Sequence, residues 1–598
     1  MLIKALCDYD DKLLEGGTSD AVPEGWGEQD IHFRIMLTEE GDIADIVDVR
    51  REEVQKLKGG KEKTRLVPRR IVVPFRGKST SISCYCAEHR PFYIFGLSYE
   101  KDGFSARSEN DKAKKSHDAF VKYNLSFFEG MDTGICGAVR RFAEKWNPES
   151  QTENPMLLKI GKEYKGAYFG FGLTGAQGNL EEDEQFRERF EQLHGEQKNG
   201  DEENKAACAV CGILGQYLPV ARIHENVKLP GGNTTGCVLV GMKESAYTSY
   251  GKTQSYNSNV SEEAMKKYTR TLNRLLSSKN HRTIIGDMVI VYFAMKADDE
   301  EECDLFSAFF GNSAENADAA LDKLFGYAAS GGTTGGIDRN ATFYVAGLTP
   351  NSSRICQKFM CRDSYGRIID NLVQHQKDLM VEPESRHQVF FSRIAKELIS
   401  PKSSNEKVPP PLMTNTMLAA FGGSNYPHAL LETVVRRVKT DSDDEKSRYI
   451  KLNDTRAGII KACINRKARL KGQKEEFTMS LNENNKSPAY LCGRLFAVLE
   501  KIQSDSSGGN LNRTIKDSYF SSACSRPASI MPKLMMLSQN HMRKLGEGTV
   551  IYYTKLIGEI TDGFDGEYPQ TLDLDSQGRF IIGYYQQNKA LYTTKNKD

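Results

Sequence analysis

Ser487-Pro-Ala-Tyr-Leu-Cys-Gly-Arg-Leu-Phe-Ala-Val-Leu-Glu-Lys-Ile502 is the stretch of this 598-residue chain with the plainest helical signature. Ser487 is suited to cap it and Pro488 to occupy its first turn, and Leu491, Leu495, Val498, Leu499 and Ile502 recur at helical spacing as one apolar stripe. Such a stripe has to be covered, and the chain supplies helices able to cover it. One starts near Ser529 with Leu534, Met535, Leu537, Met542 and Leu545, and two more fit Thr549 to Ile560 and Gln577 to Ala590. Residues 479–598 therefore read as a C-terminal helical bundle.

Upstream, residues 375–478 show helix after helix with little strand signal and read as a helical connecting region. Within it Ser400-Pro-Lys-Ser-Ser-Asn-Glu-Lys-Val-Pro-Pro-Pro411 reads as a linker, because successive prolines break a helix interior and stiffen an extended connection. Residues 1–374 are mixed. Strands are expected at Ile31 to Leu37, Ile71 to Phe75, Val238 to Met242, Met288 to Ala294 and Ala341 to Leu348, with helices at Asp111 to Phe128, Ile135 to Trp146 and Glu262 to Leu276. The fold class that results is α+β: a mixed α/β N-terminal domain followed by a C-terminal helical bundle.

Composition narrows the function classes. Hydrophobic residues at 39% and charged residues at 27% suit a soluble multidomain protein. A formal net charge of +1 gives no whole-molecule field to steer the chain toward nucleic acid, so any such contact has to be local. Thirteen cysteines without a dense framework, and an N-terminal Met-Leu-Ile-Lys-Ala-Leu-Cys7 with no signal-peptide pattern, point to the cytoplasm and free thiols. No run approaches the roughly 20 apolar residues of a membrane span.

Residues 51–78 hold ten basic side chains against three acidic ones, and Lys61, Lys63, Arg65, Arg69 and Arg70 are the candidate phosphate contacts. A second run, Arg456, Lys461, Arg466, Lys467, Arg469, Lys471 and Lys474, is a further candidate for lining RNA or DNA. Residues 181–203, ten acidic against three basic, read as a solvated helix and loop. Gly170-Phe-Gly-Leu-Thr-Gly175 has dinucleotide-loop spacing, but a charged helix comes next where the motif needs a strand, so a glycine turn between strands is the better account. Cys208 and Cys211 with His224 make three quarters of a zinc site and lack a nearby fourth ligand. Ser330-Gly-Gly-Thr-Thr-Gly-Gly336 lacks a phosphate-loop ending and reads as a flexible connection. There is no Asp-Glu-x-His helicase box, no Gly-x-Ser-x-Gly elbow and no evident two-metal cluster. No catalytic residue, metal or cofactor is assigned. A free-standing, metal-dependent nuclease is the alternative to a binding protein.

Several blocks, in order and nearly end to end, resemble the large-subunit family of type I-C CRISPR Cascade. They are Phe95-Gly-Leu with Lys112 to Phe120; Pro219-Val-Ala-Arg-Ile-His224 with Gly231-Gly-Asn-Thr-Thr-Gly236; and Ser249-Tyr-Gly-Lys-Thr-Gln254 with Val260 to Ala264. Phe343 to Leu348 with Pro350-Asn351, Gly493 to Glu500, Thr514 to Phe520 and Gly578 to Gln586 complete them. The resemblance implies a non-catalytic subunit beside the 5′ end of the guide RNA. It would inspect double-stranded target DNA for the PAM, aid duplex opening and dock a separate helicase-nuclease, while base pairing with the guide reads the sequence. The implied partners also include the backbone, guide-processing and small subunits of Cascade. It further implies a separate C-terminal product by internal translation, for which Met479 is well placed.

Against that background two loops make chemical sense. Gly231 and Gly232 let backbone approach a groove, and Asn233, Thr234 and Thr235 offer donors and acceptors to base edges. Tyr250 can stack, Lys252 can neutralise a phosphate, and Gln254 can hydrogen-bond. The plain alternative is two ordinary glycine turns.

Overall fold

The computed structural model describes residues 1–16, 25–56, 62–74, 82, 84–100, 103–106, 112–200, 207–311, 326, 337–382, 388–402, 406–443, 450–508, 513–564 and 566–593. The chain divides into two units: Leu13–Ala221 with Asn259–Glu262, and Met1–Lys12 with Arg222–Ser258 and Glu263–Asp598. The α+β class holds, with small sheets in the N-terminal region and helices after Ser364.

In the smaller unit, Phe33–Leu37 pairs antiparallel with Ile43–Asp48 and parallel with Phe169–Leu173. Alternate residues Phe33, Ile35 and Leu37 are buried, as period two requires of a strand with one face on a core. Phe95, Phe120, Phe128, Phe142, Phe169 and Phe171 fill that core. The expected glycine turn is thus corrected: Phe169–Leu173 is a buried strand, and a Cβ on Gly172 would stand 2.8 Å from Arg34 Cδ and 3.0 Å from Met36 Sδ, side chains that would have to move aside. Turn geometry begins only beyond the strand, at Gly175 with φ +83°. The acidic segment is not wholly solvated either. Glu181 is buried, its Oε1 2.7 Å from His89 Nε2.

The larger unit is built on a four-stranded antiparallel sheet in the order Arg282–Ile285, Met288–Ala294, Thr342–Asn351, Arg354–Ser364. Every residue of Met288–Ala294 is buried, so both sheet faces are covered. Ile290, Tyr292, Phe343 and Val345 join the core shared with the later helices, and on the opposite face Tyr9 stacks on Phe293 at 4.7 Å and Phe293 on Tyr344 at 5.1 Å. Val238 to Met242 is not a strand. Only an isolated parallel bridge, Val238 to Arg354, forms there.

The anticipated bundle helices occur as Pro488–Ser506, Pro527–Met542, Glu547–Thr561 and Leu574–Tyr592, and Ile515–Ser525 adds one the apolar pattern did not announce. Ser487 makes no side-chain cap; the helix start rests on Pro488. Helices Pro488–Ser506 and Leu574–Tyr592 touch backbone to backbone: a Cβ on Gly493 would lie 2.0 Å from Phe580 O, and one on Gly583 2.2 Å from Tyr490 O. Two resemblance blocks, Gly493 to Glu500 and Gly578 to Gln586, are the two sides of this seam.

Not all of the proline-rich segment is linker. Pro409 is the N-cap residue of helix Pro410–Gly422, and Pro410 and Pro411 form its first turn, where a missing N–H costs nothing. The larger unit's core draws on described residues from Ile285 to Tyr585.

Candidate nucleic-acid interface

The Gly231 loop is closed at its base by a reciprocal pair, Val227 N–H to Cys237 O at 2.7 Å and Cys237 N–H to Val227 O at 2.8 Å. Its two glycines are needed for different reasons. Gly231 has φ +77°, and a Cβ on Gly232 would fall 2.7 Å from Cys237 Sγ and 3.0 Å from Leu229 O. Asn226 Nδ2 donates to Thr235 O at 2.6 Å, and Asn273 Oδ1 on helix Glu262–Ser277 accepts from Lys228 N–H at 2.9 Å. With the backbone so held, Asn233, Thr234 and Thr235 are exposed.

The second loop ends in a two-residue turn. Lys252 N–H donates to Ser249 O at 2.9 Å, and both central residues lie at positive φ, Tyr250 at +49° and Gly251 at +73°. Glycine takes that conformation freely, whereas tyrosine pays about 1–2 kcal/mol for it. Tyr250 is 100% exposed, so its conformation is held by the turn's hydrogen bonds and not by packing of its ring. Lys252 is exposed; Gln254 is half-buried at φ +51°, with Oε1 buried and unpartnered among the described residues. Gln254 is therefore less available to a ligand than its neighbours.

Both loops rest on one β-hairpin tip, Pro350 to Arg354. Val238 N–H donates to Ser353 O at 2.9 Å, Ile355 N–H to Val238 O at 2.9 Å, and Cys237 Sγ lies 3.5 Å from Ser352 O. A Cβ on Gly232 would be 3.7 Å from Pro350 Cβ. From the other loop, Tyr247 accepts a hydrogen bond from Arg354 Nη1, with the guanidinium 4.8 Å from the centre of its ring. Loops separate in sequence thus share one support. Sequence reading chose the loops and missed Tyr247 and Arg354; the only signal near them was Pro350-Asn351.

A family model described as CRISPR-associated protein (Cas_Csd1) matches residues 6–592. The chain belongs to this family, the large subunits of type I-C Cascade. No curated protein matches it. As a Csd1-family chain it is a subunit of a type I-C CRISPR Cascade, and no helix among its described residues is long and apolar enough to cross a membrane.

The basic run of this Csd1 chain falls on two ribbons of the smaller unit. Lys61 lies outside the described residues. Lys63 and Arg65 belong to strand Glu62–Val67, opposite Gln55 and Glu53 of Arg51–Lys56. Arg69 and Arg70 begin strand Arg69–Pro74, where Arg69 is half-buried and Arg70 is exposed but engaged, Nε 3.1 Å from Asp30 Oδ1 and Nη1 3.6 Å from Glu28.

The second basic run is corrected. Arg456 is fully buried, with Nε 3.0 Å from Glu397 Oε2 and Nη1 2.9 Å from Asp441 Oδ2. Arg466 and Arg469 both reach Asp378, at 2.9 and 2.8 Å, and Lys461 donates to Asp378 O at 3.0 Å. Lys467 pairs with Asp575, which leaves Lys471 and Lys474 as the exposed cations of the run. Arg456 and Arg466 are buried in ion pairs and Lys461 is buried against a backbone carbonyl, and cations so engaged are not available to a phosphate.

Cys211 Sγ accepts N–H bonds from Ser261 at 3.3 Å and Leu214 at 3.5 Å; burial works to raise the thiol, and these bonds outweigh it and hold it below its ordinary value. His224 is engaged by the Tyr268 hydroxyl at 2.6 Å, and burial pushes it down to about 4. Among the described residues one trio of ligand-type groups does meet, buried His281, Asp299 and Cys303. Asp299 is already occupied, accepting from the Tyr9 hydroxyl at 2.8 Å and Ala294 N–H at 2.8 Å and facing His281 Nε2 at 3.0 Å. That arrangement ties Tyr9 to the sheet. The segment Ser330 to Gly336 lies outside the described residues.

Proposed function

We propose that this Csd1-family subunit inspects duplex DNA for the PAM next to the guide RNA 5′ end, using the loops that carry Asn233, Thr234, Thr235, Tyr250 and Lys252. The observation that carries the reading is their convergence on the 350–354 hairpin tip, which presents base-edge donors and acceptors, a stacking ring and a cation on one support. A duplex reader needs such a mixture: phosphate contacts position, and side-chain amides and hydroxyls discriminate. A tyrosine held against its backbone preference and fully exposed suits a ring that works against a base stack.

In this reading the hairpin 51–67 and Arg69 supply sequence-independent phosphate contact, to guide RNA or to flanking duplex. The subunit aids opening of the duplex and offers a docking surface to the helicase-nuclease, which makes the cut; the subunit itself catalyses nothing and works in the cytoplasm with the other Cascade subunits.

The test is Asn233→Ala, Thr234→Ala and Lys252→Ala in assembled Cascade, read as the ratio of affinities for PAM and non-PAM duplex. The two loop-231 changes should cut the ratio by the equivalent of about 1–3 kcal/mol and leave guide-RNA loading intact. Failed assembly with PAM preference surviving in the assembled remainder would make the loops structural and sink the proposal.

A further inference from the structure

Arg354 opens strand Arg354–Ser364 at the tip where both loops dock, and its backbone is pinned by the bridge to Val238. Its side chain is half-buried, hydrogen-bonded to the Tyr247 hydroxyl and laid over that ring. A Cβ on Gly241 would stand 3.7 Å from Arg354 Nε, so bare backbone flanks the guanidinium on another side. Among the described residues no carboxylate pairs with it. Several partly buried arginines of the same unit take an acid, Arg270 with Asp10, Arg339 with Asp370 and Arg437 with Asp441, whereas Arg354, like half-buried Arg282, has none among the described residues.

A guanidinium is always charged and carries five N–H donors in a planar fork. Tyr247 is neutral and accounts for one of them. A cation drawn partly out of water, without an acid to balance it and with its plane fixed by an aromatic ring, is arranged for an anion that arrives from outside. The loops that carry Asn233 to Thr235 and Tyr250 with Lys252 both dock on this same hairpin tip, through Val238 and Tyr247.

We propose that Arg354 contacts a phosphodiester of duplex DNA between the two loops, with Tyr247 fixing the plane of its guanidinium. The inference rests on the reading of this surface as the DNA-inspecting one. A phosphodiester presents two acceptor oxygens and one negative charge, which the free part of the fork matches.

The test uses assembled Cascade carrying Arg354→Gln, Arg354→Lys, Tyr247→Phe or Lys252→Gln, with duplex affinity measured from 50 to 200 mM salt. One phosphate contact contributes about 0.9 to the slope of log affinity on log salt, so the deficit of Arg354→Gln should shrink about 3.5-fold across that fourfold range. The change should be the same on PAM and non-PAM duplex, with guide-RNA retention unchanged, and Arg354→Lys should keep the wild-type slope. Tyr247→Phe should weaken duplex binding at least about tenfold at constant slope, the worth of one hydrogen bond to a charged group. An unchanged slope in Arg354→Gln beside a reduced one in Lys252→Gln overturns the inference alone; unchanged slopes in both overturn the reading of the surface. Loss of guide RNA at unchanged duplex affinity would assign the phosphodiester to RNA and also refute the proposal. If Arg354→Gln does not assemble, unchanged duplex affinity in Tyr247→Phe is the refuting result.

Discussion

Replacing Arg456 by methionine separates a structural arginine from a nucleic-acid contact. The guanidinium is fully buried and makes four hydrogen bonds: to Glu397 Oε2 at 3.0 Å, Asp441 Oδ2 at 2.9 Å, Lys451 O at 2.9 Å and Glu397 O at 3.2 Å. Methionine fills much of the same volume and satisfies none of them, so the carboxylates of Glu397 and Asp441, each 7% exposed, are left facing apolar atoms. Arg393 and Arg437 retain one contact to each acid and soften the loss. Breaking one partner out of a buried ion pair costs about 3–5 kcal/mol, and the remaining pairs place this case near the lower end. Urea unfolding of the chain, followed by tryptophan and tyrosine fluorescence and by circular dichroism, should show the earliest transition moved to lower denaturant. A control with Lys471→Ala and Lys474→Ala, both exposed, should stay within about 0.5 kcal/mol of wild type. Were Arg456→Met as stable as wild type yet impaired in nucleic-acid binding, the inward reading of the 456–474 run would be wrong.

Two buried histidines set a pH dependence. Burial, with Arg466 nearby, pushes His375 down to about 3, and burial pushes His224 down to about 4, so the unfolded chain binds protons at these sites that the folded chain refuses. Their contribution is complete above about pH 6.5 and is lost as pH falls toward the folded values, by up to about 1.4 kcal/mol per pH unit per histidine. His375→Gln should flatten that fall in a melting series from pH 7 to 4.5, and an identical pH profile would discount His375. The seam gives a second test: Gly583→Ala gains about 1 kcal/mol of helix propensity but drives a methyl into Tyr490 O, so the melting temperature should fall, and a rise would mean the helices can part. For the internal start, Met479→Leu should leave the full-length chain folded and remove a short C-terminal product from purified Cascade. A product still beginning near Ser480, or none from wild type, would discard that position.

The helix Pro488–Ser506 was legible because its period is written in residues that must be buried. The buried strand Phe169–Leu173 was not, because the neighbours that crowd Gly172, the side chains of Arg34 and Met36, lie well over a hundred residues away. The 456–474 run failed for a related reason: charge in a sequence carries no sign of burial, and the acids that draw Arg456 and Arg466 inward, Glu397 and Asp378, lie 59 and 88 positions off. Pro410 and Pro411 were read by their effect on a helix interior when they stand at a helix start. The two loops could be picked out from their glycines and the polar side chains beside them. Their common support could not, since Arg354 and Tyr247 are 107 residues apart and neither is unusual by itself.

The larger unit is interrupted by the smaller one, and this imposes an order of events on synthesis. Tyr9 donates to Asp299, 290 positions later, and stacks on Phe293. At roughly 5–20 residues per second, the first helix emerges and then waits about 15–60 s before the ribosome has made the strand it packs on. Leu13–Ala221 is finished inside that interval and can fold while the N-terminal helix still has an uncovered apolar side. During that wait Leu2, Ala5, Leu6 and Tyr9, all buried in the finished fold, stand uncovered and open to a chaperone.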